Sequence, residues 1–118
     1  MSDYNHINIV GRPTEDAEVK TIQKNGKPFS VATFTIAQTI KKSSVKDHTN
    51  YIKCELFNSR AEKIGPFIKK GERLMVTGQL IIETVENESD GKKSYSNFIS
   101  VNAKEIVFLS TKKNINIK

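Results

Sequence analysis

Residues 51 to 57 read Tyr51-Ile52-Lys53-Cys54-Glu55-Leu56-Phe57. Side chains alternate along a strand, so Ile52, Cys54 and Leu56 point one way and Tyr51, Lys53, Glu55 and Phe57 the other. The first set makes an ordinary core face. The second ends in an aromatic ring at either side and carries a lysine between, which suits a merely solvated surface poorly. At about 3.3 Å per residue the two rings stand about 20 Å apart, room for several splayed bases with a lysine near their phosphates. A binding face is one reading. The other is that Tyr51 and Phe57 pack beneath neighbouring loops or a subunit.

Toward the C-terminus, Ser59-Arg60-Ala61-Glu62 fits a capping box and predicts a helix start, with the serine hydroxyl covering a backbone amide and the glutamate reaching back. Ala61, Ile64 and Ile68 share one stripe; Gly65-Pro66 breaks or kinks the helix, and Lys69-Lys70-Gly71 marks its end. Arg73 to Val85 alternates as a long strand with Gly78 as a bend. A polar turn containing Asp90-Gly91-Lys92-Lys93 leads to a last strand from Tyr95 to Leu109.

Toward the N-terminus, the polar stretch Lys41 to Asn50 has no period and reads as a loop. Pro28 to Thr39 is a strand with Ala32, Phe34 and Ile36 on its inner face and Val31, Thr33 and Thr35 outside. Before it, Asn25-Gly26 predicts a type I′ hairpin to a strand over Ala17 to Gln23, and a first strand, His6 to Val10, ends at Gly11-Arg12-Pro13. A long bent strand and one short helix, between strands 3 and 4 of about five, favour an all-β small closed barrel over a sandwich. The chain of 118 residues is one domain, over 1–110, followed by a short basic, flexible tail over 111–118.

Hydrophobic content of 36% and charged content of 27% are those of a soluble protein, while 19 Lys+Arg against 13 Asp+Glu give a net charge of +6. That balance favours polyanions, nucleic acid before anionic membrane. Cys54 is the only cysteine, so no intramolecular disulfide and no thiolate zinc cluster can form. With no signal-peptide pattern and no apolar run of membrane-spanning length, the expected location is the cytoplasm.

Nothing in the sequence looks catalytic. His6 and His48 lack a cysteine or paired carboxylate at ligand spacing, and no phosphate-cradling glycine loop or nucleophile elbow occurs. The sequence therefore predicts no enzyme, no metal and no cofactor. Glu83, Glu86, Glu88 and Asp90 near the last hairpin read as solvated acids. The lysines, by contrast, have a pattern: Lys41, Lys42 and Lys46 in the loop before Tyr51, Lys53 on the strand, Lys69 and Lys70 before the next strand, Lys92 and Lys93 at the last hairpin. Loops beside an aromatic strand face make a groove that follows a phosphate backbone while bases stack inside.

Ile9-Val10-Gly11, Asp16-Ala17-Glu18-Val19-Lys20, Asn25-Gly26 and Ala32-Thr33-Phe34-Thr35-Ile36-Ala37 resemble the front half of bacterial and phage single-stranded DNA-binding proteins. Tyr51 to Phe57, Ala61-Glu62, Ile68-Lys69-Lys70-Gly71, Val76-Thr77-Gly78-Gln79-Leu80 and Tyr95 continue the resemblance in register, from Asn5 to Leu109. The resemblance implies a five-stranded OB-fold barrel that coats and protects single-stranded DNA during replication, recombination and repair. It puts Tyr51 and Phe57 where the family stacks bases on its third strand and Lys53 where it has a basic residue between them. It also puts Thr33 and Thr35 on the groove side of the second strand, and matches Lys70 to a basic residue leading into the fourth.

The chain departs from the family both in the binding region and at its end. Val85 stands where many members have a stacking tryptophan, the loop from Ile40 to Asn50 is short and lacks an aromatic, and Ile81 and Glu83 replace frequent basic residues. The family's acidic, partner-recruiting tip is replaced by Lys112-Lys113-Asn114-Ile115-Asn116-Ile117-Lys118, which suggests a phage or plasmid version. Binding dominated by phosphate contacts is therefore expected. The resemblance further implies a homo-oligomer, a tetramer built from dimers or a dimer, and recombinase or other replication proteins as partners. The alternative function is an OB-fold adaptor of a replication or primosome complex that docks protein on the same face and binds nucleic acid weakly.

Overall fold

The computed structural model describes residues 3–41 and 47–109. Strands β1 (Ile7–Pro13), β2 (Glu18–Lys24), β3 (Lys27–Ile40) and β4 (His48–Phe57) precede helix α1 (Ser59–Ile64), a 3-10 turn over Gly65–Phe67, and strands β5 (Leu74–Ser89) and β6 (Lys92–Phe108). β1 pairs with β5, β5 with β6, β6 with β4, β4 with β3, and β3 returns to β1 through Arg12↔Ala37 and Pro13↔Ile36. Five strands thus close a ring, and β2 lies against the other half of β3. The helix follows β4 rather than a third strand, because the described chain has six strands.

The extra strand arises from a break at residues 14–17. There the backbone leaves the ladder: Thr14 N–H still donates to the Thr35 carbonyl of β3 at 2.9 Å, but Ala17 N–H donates to the Ile68 carbonyl, in the loop before β5, at 3.0 Å. The Asp16 carboxylate accepts from the Lys70 N–H at 2.9 Å. β1 and β2 consequently take different neighbours.

The core is built from the inward positions that alternation assigns. Ala32, Phe34 and Ile36 of β3, Cys54 and Leu56 of β4, Leu74 and Val76 of β5, and Val101 and Ala103 of β6 are buried in one cluster. Ala61 and Ile68 close it from the helix side. Two glycines let the ring close. A Cβ on Gly11 would run into the Ile36 side chain and the Ala37 carbonyl, and one on Gly78 into the Asn102 carbonyl and Ala103 Cα. Gly78 sits at a ladder irregularity between Thr77 and Gly78, which is the bend expected there. Both tight hairpins, Asn25-Gly26 and Asp90-Gly91, have positive φ at both central residues, as a type I′ turn requires.

Two local expectations need correction. Ser59 does not cap the helix: Asn58, at φ 57°, is the N-cap and makes no side-chain cap bond. The Glu62 carboxylate instead accepts a 2.6 Å hydrogen bond from the Ser30 hydroxyl. Ser30 is 3% exposed, and a buried hydroxyl needs a partner more than a solvated helix end does. The loop before Tyr51 is also shorter than Lys41 to Asn50, since Gln38↔Asn50, Thr39↔Thr49 and Ile40↔His48 pair as ladder. That strand end is held by polar side chains, Asn50 Nδ2 donating to Gln38 Oε1 at 3.2 Å, and so has no hydrophobic period.

Candidate nucleic-acid interface

The outward positions of β4 alternate with its buried ones as expected: Tyr51 and Lys53 are exposed, Glu55 and Phe57 half-buried. The ladder sets their neighbours. Ala37 lies opposite Tyr51, Thr35 opposite Lys53, Thr33 opposite Glu55, and Val31 opposite Phe57. On the far side of β3, Glu18 faces Thr33, Lys20 faces Val31 and Ile22 faces Phe29. β2, β3 and β4 therefore share one outer face, indented as an open groove of about 480 Å³. Tyr51, Lys53, Phe57, Thr33 and Thr35 all belong to this face.

Tyr51 is 69% exposed, with only the methyl of Ala37 across from it. Such a ring offers its π-face to solvent, and a base stacked on it would be worth about 1 to 3 kcal/mol. Phe57 is not alone. The Phe29 ring lies 5.6 Å from it, centroid to centroid, tilted by 31°, and the Lys24 ammonium sits 5.6 Å from the Phe29 centroid. Phe29, Lys20 and Lys24 also lie on or against this face, where sequence reasoning did not place them. The signal for Phe29 was its parity: it falls in step with Val31, Thr33 and Thr35, which were already assigned outside.

The charge on this face is mixed. Lys53 Nζ lies 3.8 Å from Glu55 Oε2, and Lys20 Nζ 3.5 Å from Glu18 Oε2. Exposed ion pairs of this kind are worth about 0 to 1 kcal/mol, so a phosphate can compete with the carboxylate for the ammonium. The Lys53–Glu55 contact also explains Glu55, which holds its neighbouring lysine.

The remaining lysines are scattered. Lys41 pairs with Asp47 at 3.8 Å, at the start of the loop before β4, and Lys42 and Lys46 lie outside the described residues. Lys70 belongs to the loop that Asp16 ties to the β1–β2 break. Lys92 and Lys93 sit at the tip of the β5–β6 arm, where Lys93 Nζ pairs with Glu86 Oε2 at 3.5 Å. Lys53 is level with Ser100, so Lys93, seven residues further along β6, is roughly 23 Å from the groove at about 3.3 Å per residue.

Other chemistry is sparse. Among the described residues no group of three or more His, Cys, Asp and Glu could hold a metal ion. His6 stacks on Tyr4 with centroids 6.0 Å apart, and His48 hydrogen-bonds Asn50 at 2.9 Å. Burial pushes the Cys54 thiol up to about 12, the Glu55 charge adding to the effect, so the group stays a protonated core side chain. No helix among the described residues is long and apolar enough to cross a membrane.

Comparison with known proteins agrees with this picture. Residues 4–109 match the model of the single-strand binding protein family. A single-stranded DNA-binding protein of Borreliella burgdorferi is 31% identical over 96 residues, 79% of this chain and 62% of its own length. Single-stranded DNA-binding protein 1 of Clostridium acetobutylicum is 27% identical over 92% of this chain and 96% of its length. The chain thus spans nearly all of the second relative but under two thirds of the first. Among solved structures, a Plasmodium falciparum SSB in complex with ssDNA superposes with a TM-score of 0.69 at 22% identity, covering 93% of this chain and 98% of that one, which shows a shared fold.

Proposed function

The chain belongs to the single-strand binding protein family, and on that footing we propose that it coats single-stranded DNA, without catalysing a reaction, during replication, recombination and repair. One observation carries the reading: Tyr51 and Phe57 flank Lys53 on the outer face of a single strand, two stacking rings with a cation between them. Bases unstack from one another and settle on the rings while the backbone passes the lysine. Thr33 and Thr35, on the neighbouring strand, supply hydroxyls to the same face. A duplex keeps its bases paired and presents only phosphates, so it gains the ionic contacts without the stacking. Coating then favours melted over hairpin DNA and shields it from nucleases.

Residues 1–110 act as the OB-fold binding domain. Lys41, Lys42, Lys46 and Lys70 add phosphate contacts around it, whereas Lys92 and Lys93, at the tip of the β5–β6 arm, would serve only a strand that leaves the groove along that arm. The working form is a homo-oligomer in the cytoplasm, a dimer or a tetramer, that meets recombinase or other replication proteins on the coated strand. Support for assembly comes from the family resemblance and from the apolar side chains that the β5–β6 arm leaves exposed, among them Ile82, Phe98 and Ile99.

The test is titration of a labelled single strand and of the same sequence as duplex, read by anisotropy at two salt concentrations. Single-strand preference is expected, with log K falling by about 0.7 per phosphate contact for each decade of salt. Weak affinity indifferent to strandedness would mark a protein-docking adaptor instead.

A further inference from the structure

We infer that the track for single-stranded DNA does not follow the β5–β6 arm but turns at Phe57 onto the β2–β3 hairpin, where Phe29 is a further base-stacking platform and Lys24 its phosphate partner. The inference rests on the single-strand reading above and specifies the path that the strand takes.

Geometry provides the first support. Lys20, Val31 and Phe57 form one cross-strand row and Ile22 and Phe29 the next, so the outer face continues without interruption from β4 across β3 to β2. The Phe29 and Phe57 rings, 5.6 Å apart, make a continuous aromatic surface at the end of the groove. The Lys24 ammonium covers the Phe29 ring from an exposed position. An exposed cation holds a ring less tightly than a stacked base does, so a base can displace the ammonium, which then reaches the adjoining phosphate.

Charge provides the second. From Glu18 to Lys27 the hairpin has one carboxylate, Glu18, against Lys20, Lys24 and Lys27. From Glu83 to Lys93 the arm has four, Glu83, Glu86, Glu88 and Asp90, against Lys92 and Lys93 alone. A polyanion leaving Phe57 therefore meets attraction on the hairpin and repulsion along the arm. The arm's exposed aromatics, Phe98 and Tyr95, stand directly opposite Glu83 and Glu86 in the ladder, so a base stacked there would bring its phosphates beside carboxylates.

The chain has no tryptophan, so single-tryptophan variants report position without background. Phe29→Trp and Val85→Trp are titrated with oligothymidylate while anisotropy of a labelled oligothymidylate confirms binding. Quenching of the tryptophan at 29 and an unchanged signal at 85 are expected. Phe29→Ala should weaken binding by about 5- to 100-fold. Because Phe29 also props Phe57, Lys24→Ala is the companion measurement: on an exposed side chain it leaves the fold alone and should lower the salt slope by about 0.7. Quenching at 85 with none at 29, or an unchanged slope in Lys24→Ala, overturns the path while leaving single-strand binding intact. Failure of the unsubstituted protein to prefer single strands overturns both.

Discussion

Glu55 and Cys54 are neighbours on β4 that face opposite sides of the sheet, and each makes the other's surroundings measurable. On the outside, Glu55 holds Lys53 at 3.8 Å. Glu55→Gln removes that competitor, so single-strand affinity should rise a few-fold and the salt slope steepen, whereas Lys53→Ala should flatten the slope by about 0.7. Slopes that stay equal in both variants would take Lys53 off the backbone path. Inside, the Cys54 thiol is held protonated to about 12 against 9.0 when free. The unfolded chain then releases its proton first, so this contribution is constant below pH 9 and is lost above it. Stability should fall by about 1.4 kcal/mol per pH unit between the two values. Urea unfolding of the wild type and of Cys54→Ala at pH 8 and pH 10 isolates the effect from other titrating groups: the gap between the two proteins should narrow at pH 10. A thiol reagent should label the native protein only as fast as it opens.

At the scale of elements, α1 is fastened to the barrel by Ser30 rather than by its own cap. The two ends of that 2.6 Å bond are unequal, because Glu62 is exposed and can return to water while the Ser30 hydroxyl cannot. Among the described residues its other side-chain hydrogen-bond partner is Thr21 Oγ1, at 3.5 Å. Glu62→Ala should thus cost about 1 to 3 kcal/mol, and Ser30→Ala less, although both break the same contact. Equal losses in urea unfolding would refute the asymmetry. Gly78→Ala forces β5 and β6 apart at the bulge and should destabilise by at least about 1 to 3 kcal/mol. Alternation made the strands and the Gly78 bend legible, because both follow from a period of two and from a residue without Cβ. The helix latch was not legible: Ser-x-x-Glu at 59 to 62 satisfies the local pattern, and only the fold reveals a buried serine 32 residues away competing for Glu62.

The molecule as a whole closes through contacts that no local pattern encodes. Inward and outward faces were readable strand by strand, but the parallel pairing of β4 with β6, Lys53↔Ser100 and Cys54↔Val101, joins residues 47 apart. The same limit hid how far Lys92 and Lys93 stand from Lys53, and it hid the reach of the β5–β6 arm beyond the ring. That arm carries Ile82 opposite Ile99, 57% and 56% exposed, on the face continuous with the barrel interior through Leu80↔Val101. Within one protomer these side chains stay wet, and their burial in an assembly would contribute about 25 cal/mol per Å² of apolar surface. Ile82→Lys combined with Ile99→Glu keeps the cross-strand pair attractive, so the ladder and the protomer's fold should survive. The same pair of charges makes the face unfit for burial. Light scattering after gel filtration should then show the assembly's mass falling toward the 13.3 kDa of one chain. Circular dichroism should remain that of the folded barrel. An unchanged mass would place the oligomer interface elsewhere, and a wild type already at the mass of one chain would remove the oligomer from the proposed function altogether.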